Sequence, residues 1–240
     1  MRDVLDSHTH TIASGHAYST MHEMVQTAAE KGLELIGITE HSMAMPGTCH
    51  EYYFRNMRIL PREMYGIEVM HGVEVNIMDH NGTLDMEAEL LKSMDVVIAS
   101  MHTPCMEAGS REENTQAAIL AMKNPYVDIL GHPDDSRFPL DYLAIVQAAK
   151  EQKVLLELNN NSLHPLGARQ NPIPNDIELL RYCRQYQVPV ILGSDAHTQE
   201  DVGNHKFLEF LLEATAFPEE LIVNRSVNEY KKYINRYKNS

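Results

Sequence analysis

The residues of this 240-residue chain that could do chemistry are histidines and acids placed where apolar runs stop. The run Val4-Leu5-Asp6-Ser7 ends on His8-Thr9-His10, two histidines spaced i, i+2. Side chains two apart in a strand share a face, so both imidazoles can point at one metal ion. The same event recurs down the chain. Residues 36–39 run into Glu40-His41, 69–73 into Glu74, 96–99 towards His102, 127–130 into Gly131-His132, and 190–193 into Asp195-Ala196-His197. With His16, from the loop after the first run, the candidate ligands are His8, His10, His16, His41, Glu74, His102, His132, Asp195 and His197. Nine side chains are too many for one ion, since zinc takes about four ligands and a catalytic site keeps a place for water. The set fits two or three ions sharing a bridging carboxylate. Glu74 and Asp195 supply the anionic oxygens, which makes them the candidate catalytic carboxylates, bridging metal and positioning a hydroxide. A donor set this rich in nitrogen suits zinc, manganese or iron and not calcium or magnesium.

The elements that must carry these groups alternate. A Thr20/Glu23 capping box predicts a helix from about residue 20 to 31, stopping at Gly32. Further helices are expected over 53–64, 86–93, 114–123, 140–151 and 176–186, between strands at 4–7, 36–39, 68–75, 95–100, 127–130, 154–158 and 190–193. Strands alternating with helices of about ten residues indicate right-handed β-α-β units and a parallel sheet. Seven such units can close, or nearly close, into an α/β barrel, where catalytic groups collect at the carboxyl ends of the strands. An open sheet would gather ligands from only a few neighbouring strands. Convergence from six strands therefore favours the barrel.

Composition removes other classes. A chain of this length suits one domain, here 1–240, and no linker or short-period repeat interrupts it. No apolar stretch is long enough to span a bilayer, and no signal-like segment opens the sequence, so a cytoplasmic protein without a membrane partner is expected. Cys49, Cys105 and Cys183 are scattered and odd in number, which argues against a disulfide framework or a thiolate metal site. A net charge of -14 without a basic stripe disfavours nucleic acid as a partner. Arg225 to Lys238, interleaved with Glu229 and tyrosines, reads as a solvated helix face.

Together, Asp6-Ser7-His8-Thr9-His10, Gly15-His16, Thr39-Glu40-His41, Gly72-Val73-Glu74, His102, Gly131-His132-Pro133 and Gly193-Ser194-Asp195-Ala196-His197 resemble the PHP (polymerase and histidinol phosphatase) family over nearly the whole chain. Leu158-Asn159-Asn160 and the length look like its stand-alone bacterial phosphatases with a trinuclear zinc site. The resemblance implies a distorted (β/α)7 barrel. It also implies a ligand division: His8, His10, Glu74 and Asp195 for one ion; His16, His41 and His197 for a second; Glu74, His102 and His132 for a third. Glu40 stands where many members carry Asp.

The chemistry expected of such a cluster is attack of a metal-bound hydroxide on a phosphomonoester, without a phosphoenzyme, because bound ions acidify water and neutralise phosphoryl charge. The substrate would be a small phosphorylated metabolite. Free phosphoryl oxygens favour a guanidinium fork, for which Arg169 and then Arg137 are the candidates. Asn159 is a candidate substrate contact or strand cap. Asp6 and Glu40 either orient ligating imidazoles or serve as structural carboxylates. His22, His50, His71, His80, His164 and His205 are read as structural, and Met21, Met24, Met57, Met64 and Met122 as core filler. Alternatives are a PHP phosphodiesterase or exonuclease, which needs a basic groove, and a catalytically idle metal-binding protein. A metal-dependent amide hydrolase would commonly place a Lys at a strand end, and none of these strands ends in one. The sequence leaves the oligomeric state open, a homo-oligomer included.

Overall fold

The computed structural model describes residues 3–237. Seven parallel strands, β1 (Leu5–Asp6), β2 (Leu35–His41), β4 (Ile67–Asn76), β5 (Val97–Ser100), β6 (Ile129–Leu130), β7 (Leu155–Asn159) and β8 (Val190–Gly193), are hydrogen-bonded in chain order. The helices α1 (Met21–Glu30), α2 (Glu51–Asn56), α3 (Ala88–Leu91), α4 (Arg111–Met122), α5 (Tyr142–Gln152), α6 (Pro172–Tyr186), α7 (Lys206–Ala214) and α8 (Val227–Lys231) fill the connections. This is a nearly closed α/β barrel. β1 and β8 share no full ladder. Their seam is closed above by a parallel bridge, Thr9 to Ala196, with His10 N donating to Ala196 O at 2.8 Å. Lower down, Asn224 inserts its amide, accepting from Leu192 N at 2.8 Å and donating to Leu192 O at 2.8 Å and Leu5 O at 3.2 Å.

The barrel interior is layered, as side-chain alternation along the strands requires. One buried cluster takes Leu5, Leu35, Met70, Ile98, Ile129, Leu155 and Ile191, one from each parallel strand. Two residues on, the same face carries Ser7, Gly37, Gly72, Ser100, Gly131 and Gly193, and a large side chain only at Glu157. Below the apolar layer, the chain's last described stretch plugs the barrel: Tyr230 and Ile234 are wholly buried with Val223 in the same cluster. The expected solvated face over 225–238 is thereby corrected for its described part. The plug buries one side, while Lys231 and Arg236 on the other pair with Glu68 and Asp95; Lys238 lies outside the described residues.

A second correction concerns the helix expected over 53–64. α2 ends at Asn56, a 3-10 turn follows over Met57–Ile59, and a short strand β3 (Glu63–Met64) pairs antiparallel with β4. Pro61 forces Leu60 into extended backbone. Tyr65 and Gly66, both at positive φ, then make the two-residue hairpin turn. α6 likewise starts at Pro172 and not at 176, because proline is tolerated in a helix's first turn. Among the described residues no helix is long and apolar enough to cross a membrane.

Candidate metal centre at the barrel mouth

All nine expected ligands meet at the carboxyl end of the barrel. Glu74, at the top of β4 and fully buried, is the hub. Its Oε2 lies 2.7 Å from His41 Nδ1, 3.4 Å from His8 Nε2 and 3.5 Å from His10 Nε2, and its Oε1 lies 2.9 Å from His132 Nε2 and 3.3 Å from His102 Nε2. Asp195 faces it, with Oδ1 3.2 Å from His10 Nε2 and 3.7 Å from His8 Nε2. His16 completes the outer side, its ring centroid 4.8 Å from that of His41 and 5.0 Å from that of His197. Three groups, His8-His10-Glu74, His10-His41-His197 and His41-Glu74-His102, each bring their ligand atoms within 4.8 Å of one another.

Four of the seven imidazoles are aimed by what holds their other nitrogen. His8 Nδ1–H donates to Glu157 Oε1 at 2.7 Å, His102 Nδ1–H to Asn76 Oδ1 at 2.7 Å, and His197 Nδ1–H to the Asp195 carbonyl at 2.9 Å. His10 Nδ1 lies 3.1 Å from Ser14 Oγ, which itself donates to Glu40 Oε2 at 2.6 Å. Ser14 therefore accepts from His10, and Glu40 orients that imidazole through a hydroxyl. Asp6 does something else: it accepts from Ser194 Oγ at 2.5 Å and Gly203 N at 2.7 Å, tying the β8 loop to β1.

These bonds bring Nε2 of His8 and His10 to 3.1 Å, where two neutral imidazoles would face lone pair to lone pair, an unfavourable pairing unless a proton or a metal ion lies between them. His41 Nδ1 and Glu74 Oε2 are buried and stand close without the alignment of a hydrogen bond. Orphaned donors of this kind fit metal ions. Protonation states agree. Burial together with the neighbouring imidazoles holds His10 well below its ordinary value, and burial lowers His16 and His102. His8 is the exception, raised by Glu157, Glu74 and Asp195 despite its burial. The surrounding histidines, joined at Asp195 by Arg169, hold Glu74 and Asp195 well below the usual carboxylate range against the opposing effect of burial. His132 (φ 28°) and Asp195 (φ 52°) both occupy left-handed backbone, which aims their side chains inward at the cost of local strain.

Glu157 is the residue the sequence reading missed. Its signal was a lone acid between leucines in Leu155-Leu156-Glu157-Leu158, on the inner face of a strand expected to be apolar. Asn159 is committed to the protein: Nδ2 donates to Glu157 and Asp195 at 3.1 and 3.2 Å, and Oδ1 caps a 3-10 turn through Ser162 N. Arg169 reaches the cluster, with Nη2 3.0 Å from Asp195 Oδ2 and Nη1 3.2 Å from Asn159 Oδ1. Arg137 does not, because Asp135 holds its guanidinium in a two-pronged pair. Behind Arg169, Asp134 and Asp176 are fully buried. Burial pushes Asp134 up to about 6, and burial plus the neighbouring Asp134 raises Asp176 well above the carboxylate range. Four of the other histidines make structural contacts. His22 meets Tyr65, His50 caps α2, His71 donates to Pro61 O and His205 pairs with Asp3.

Fold and site together define an α/β barrel whose mouth gathers groups that could hold metal ions, and comparison with known proteins names the class. The PHP domain model matches residues 6–161, and the chain belongs to the PHP family. It is 43% identical to a protein of Clostridium novyi (strain NT) described as a probable phosphatase, over 98% of this chain and 95% of that one. A probable phosphatase of Caldanaerobacter subterraneus subsp. tengcongensis is 45% identical over 98% of this chain and 92% of its own. Among solved structures, a histidinol phosphate phosphatase from Lactococcus lactis subsp. lactis, complexed with zinc, L-histidinol and phosphate, superposes with a TM-score of 0.64. That match has 20% identity and covers 90% of this chain and 95% of the other, and it establishes the shared fold.

Proposed function

We propose that this chain is a metal-dependent phosphatase that hydrolyses a small phosphomonoester, with three ions, zinc by preference, held by the nine residues at the barrel mouth. The observation that carries the reading is Glu74, one buried carboxylate whose two oxygens are reached by five imidazoles. By position, His8, His10, Glu74 and Asp195 would hold one ion, His16, His41 and His197 a second, and Glu74, His102 and His132 a third. Bound ions supply an acidified water and neutralise the charge that develops on phosphoryl oxygens.

The chain's own residues supply orientation. Ser14, Asn76, Glu157 and the Asp195 carbonyl fix the imidazoles so that no reorganisation is needed when charge develops. The Arg169 guanidinium lies against Asp195 at the rim, only slightly exposed, where an incoming phosphoryl group can share its fork. Arg137 is occupied by Asp135, so Arg169 is the phosphate-binding candidate of the two. The probable-phosphatase relatives support the reaction class, and the zinc and phosphate complexed with the Lactococcus enzyme support the ion and the leaving product. The acidic surface, with a net charge of -14, favours a small soluble substrate over a polyanion. Its free thiols at Cys49, Cys105 and Cys183 suit the cytoplasm.

The test is phosphate release from p-nitrophenyl phosphate and a panel of phosphorylated metabolites by zinc- or manganese-loaded protein. Release should depend on metal and be abolished in a folded Glu74→Ala variant. Absence of metal-dependent release from every phosphomonoester would overturn the proposal.

A further inference from the structure

We propose that Glu157 is the positioning residue of the centre, locking His8 in the tautomer that ligates and holding the His132 backbone, so that one carboxylate sets two of the ion positions. This rests on the reading of the cluster as a metal centre. A carboxylate only accepts hydrogen bonds, so the 2.7 Å contact obliges His8 Nδ1 to carry a proton, and in the neutral ring, the form that ligates, Nε2 then presents its lone pair to the cluster. The other oxygen, Oε2, accepts from His132 N at 2.9 Å, at the residue whose backbone is left-handed, and from Asn159 Nδ2 at 3.1 Å. His8 and His132 belong to different candidate ions that share Glu74. Glu157 thus holds one candidate ligand of each ion without being a candidate ligand itself.

The barrel is shaped to admit this side chain. At its level the interior is lined by glycines and serines from the other strands, and the space above the apolar layer goes to one carboxylate. Gly193, opposite Asn159 in the β7–β8 register, shows why. A Cβ there would stand 2.0 Å from Glu157 Oε1 and 3.3 Å from the Cβ of His8. A Cβ has no rotamer of its own, so the carboxylate end of Glu157 would have to swing away from His8. Glycine at 193 and glutamate at 157 are two halves of one device.

Nitrogen–proton spectra of the histidine rings and zinc competition against a chelator test it on the whole chain. The wild type should show a slowly exchanging Nδ1 proton on His8 without any metal. Glu157→Gln should weaken that resonance, because the amide cannot accept from both His8 and His132, and Glu157→Ala should abolish it. Zinc affinity at the two affected positions should fall roughly 10- to 100-fold, with the position at His16, His41 and His197 retained. Gly193→Ala should reproduce the loss by displacing the carboxylate, and it serves if the Glu157 variants fail to fold. A wild type that takes up zinc but is matched by Glu157→Gln and Gly193→Ala in resonance and affinity overturns this inference alone. One that takes up no zinc removes the reading beneath it, and this inference with it.

Discussion

Arg169 and Asp195 are joined across the barrel mouth, Nη2 to Oδ2 at 3.0 Å, so a cation from the loop after β7 touches an expected ligand from the loop after β8. On the proposed function, the contact would make Asp195 a meeting point of ion binding and phosphate binding. Arg169→Lys keeps the charge and loses the planar fork. Hydrogen bonds to charged groups are worth about 1.5–3 kcal/mol, so KM for a phosphomonoester should rise roughly tenfold to a hundredfold. Product inhibition by phosphate should weaken in parallel, and zinc content should stay at the wild-type value. An unchanged KM and phosphate inhibition would place the substrate elsewhere.

Ions bound only by the folded chain stabilise it by mass action, by about 4 kcal/mol at a thousandfold excess over Kd. For a domain of this size each kcal/mol moves the melting temperature about 2–4 °C, so chelation should lower it by roughly 10 °C. Calorimetry with and without a chelator, followed by zinc readdition, measures this. A transition insensitive to both would mean that the cluster binds nothing tightly.

Asp134 and Asp176 bind protons more tightly in the folded chain than in the unfolded one, because burial disfavours their charged forms. Folding stability is then complete below the unfolded value of about 4 and is lost as pH rises through the folded values, the sign opposite to that of a salt-bridged carboxylate. Asp176→Asn removes one of the two acids and leaves Asp134 free to ionise beside Arg169. Denaturation in urea across pH should show the variant more stable by on the order of 1–3 kcal/mol at pH 8. The gain should vanish near pH 4. A gain that does not change with pH would rule out this origin.

The barrel and the side chains that gather at its mouth were legible because both leave periodic marks: apolar runs at regular intervals, and histidines or acids where those runs stop. What holds the ligands was less legible. Glu40 acts through Ser14, and a two-bond relay has no sequence spacing of its own. Asp6 resembles an orienting carboxylate by position yet ties down the β8 loop, a choice made by backbone geometry far along the chain. Glu157 was hidden by the apolar residues on either side of it. The β3 hairpin was masked by a helical pattern that Pro61 interrupts late. The terminal plug was misread because Tyr230 and Ile234, four apart, mark one face of a segment whose other side is charged, and charge density outweighed that short apolar stripe.

Asn224 yields a prediction about closure. It lies outside the strands and yet bonds Leu192 N and O and Leu5 O, standing in for the ladder that β1 and β8 do not form. Asn224→Ala leaves one buried N–H and two buried carbonyls without that partner, each orphan costing about 1–3 kcal/mol where water cannot enter. The net loss in urea unfolding should be roughly 2–4 kcal/mol, since the seam can relax. Asn224→Asp, which accepts but cannot donate, should lose at least as much at neutral pH. The effect should reach the centre as well, because β1 leads into His8 and β8 into Asp195, and widening the seam separates them. Zinc affinity of the folded variant should therefore fall along with stability. A loss under about 0.5 kcal/mol, within the range of ordinary surface substitutions, would show that the Thr9–Ala196 bridge and the bonds of Asp6 to Ser194 and Gly203 hold the barrel shut without Asn224.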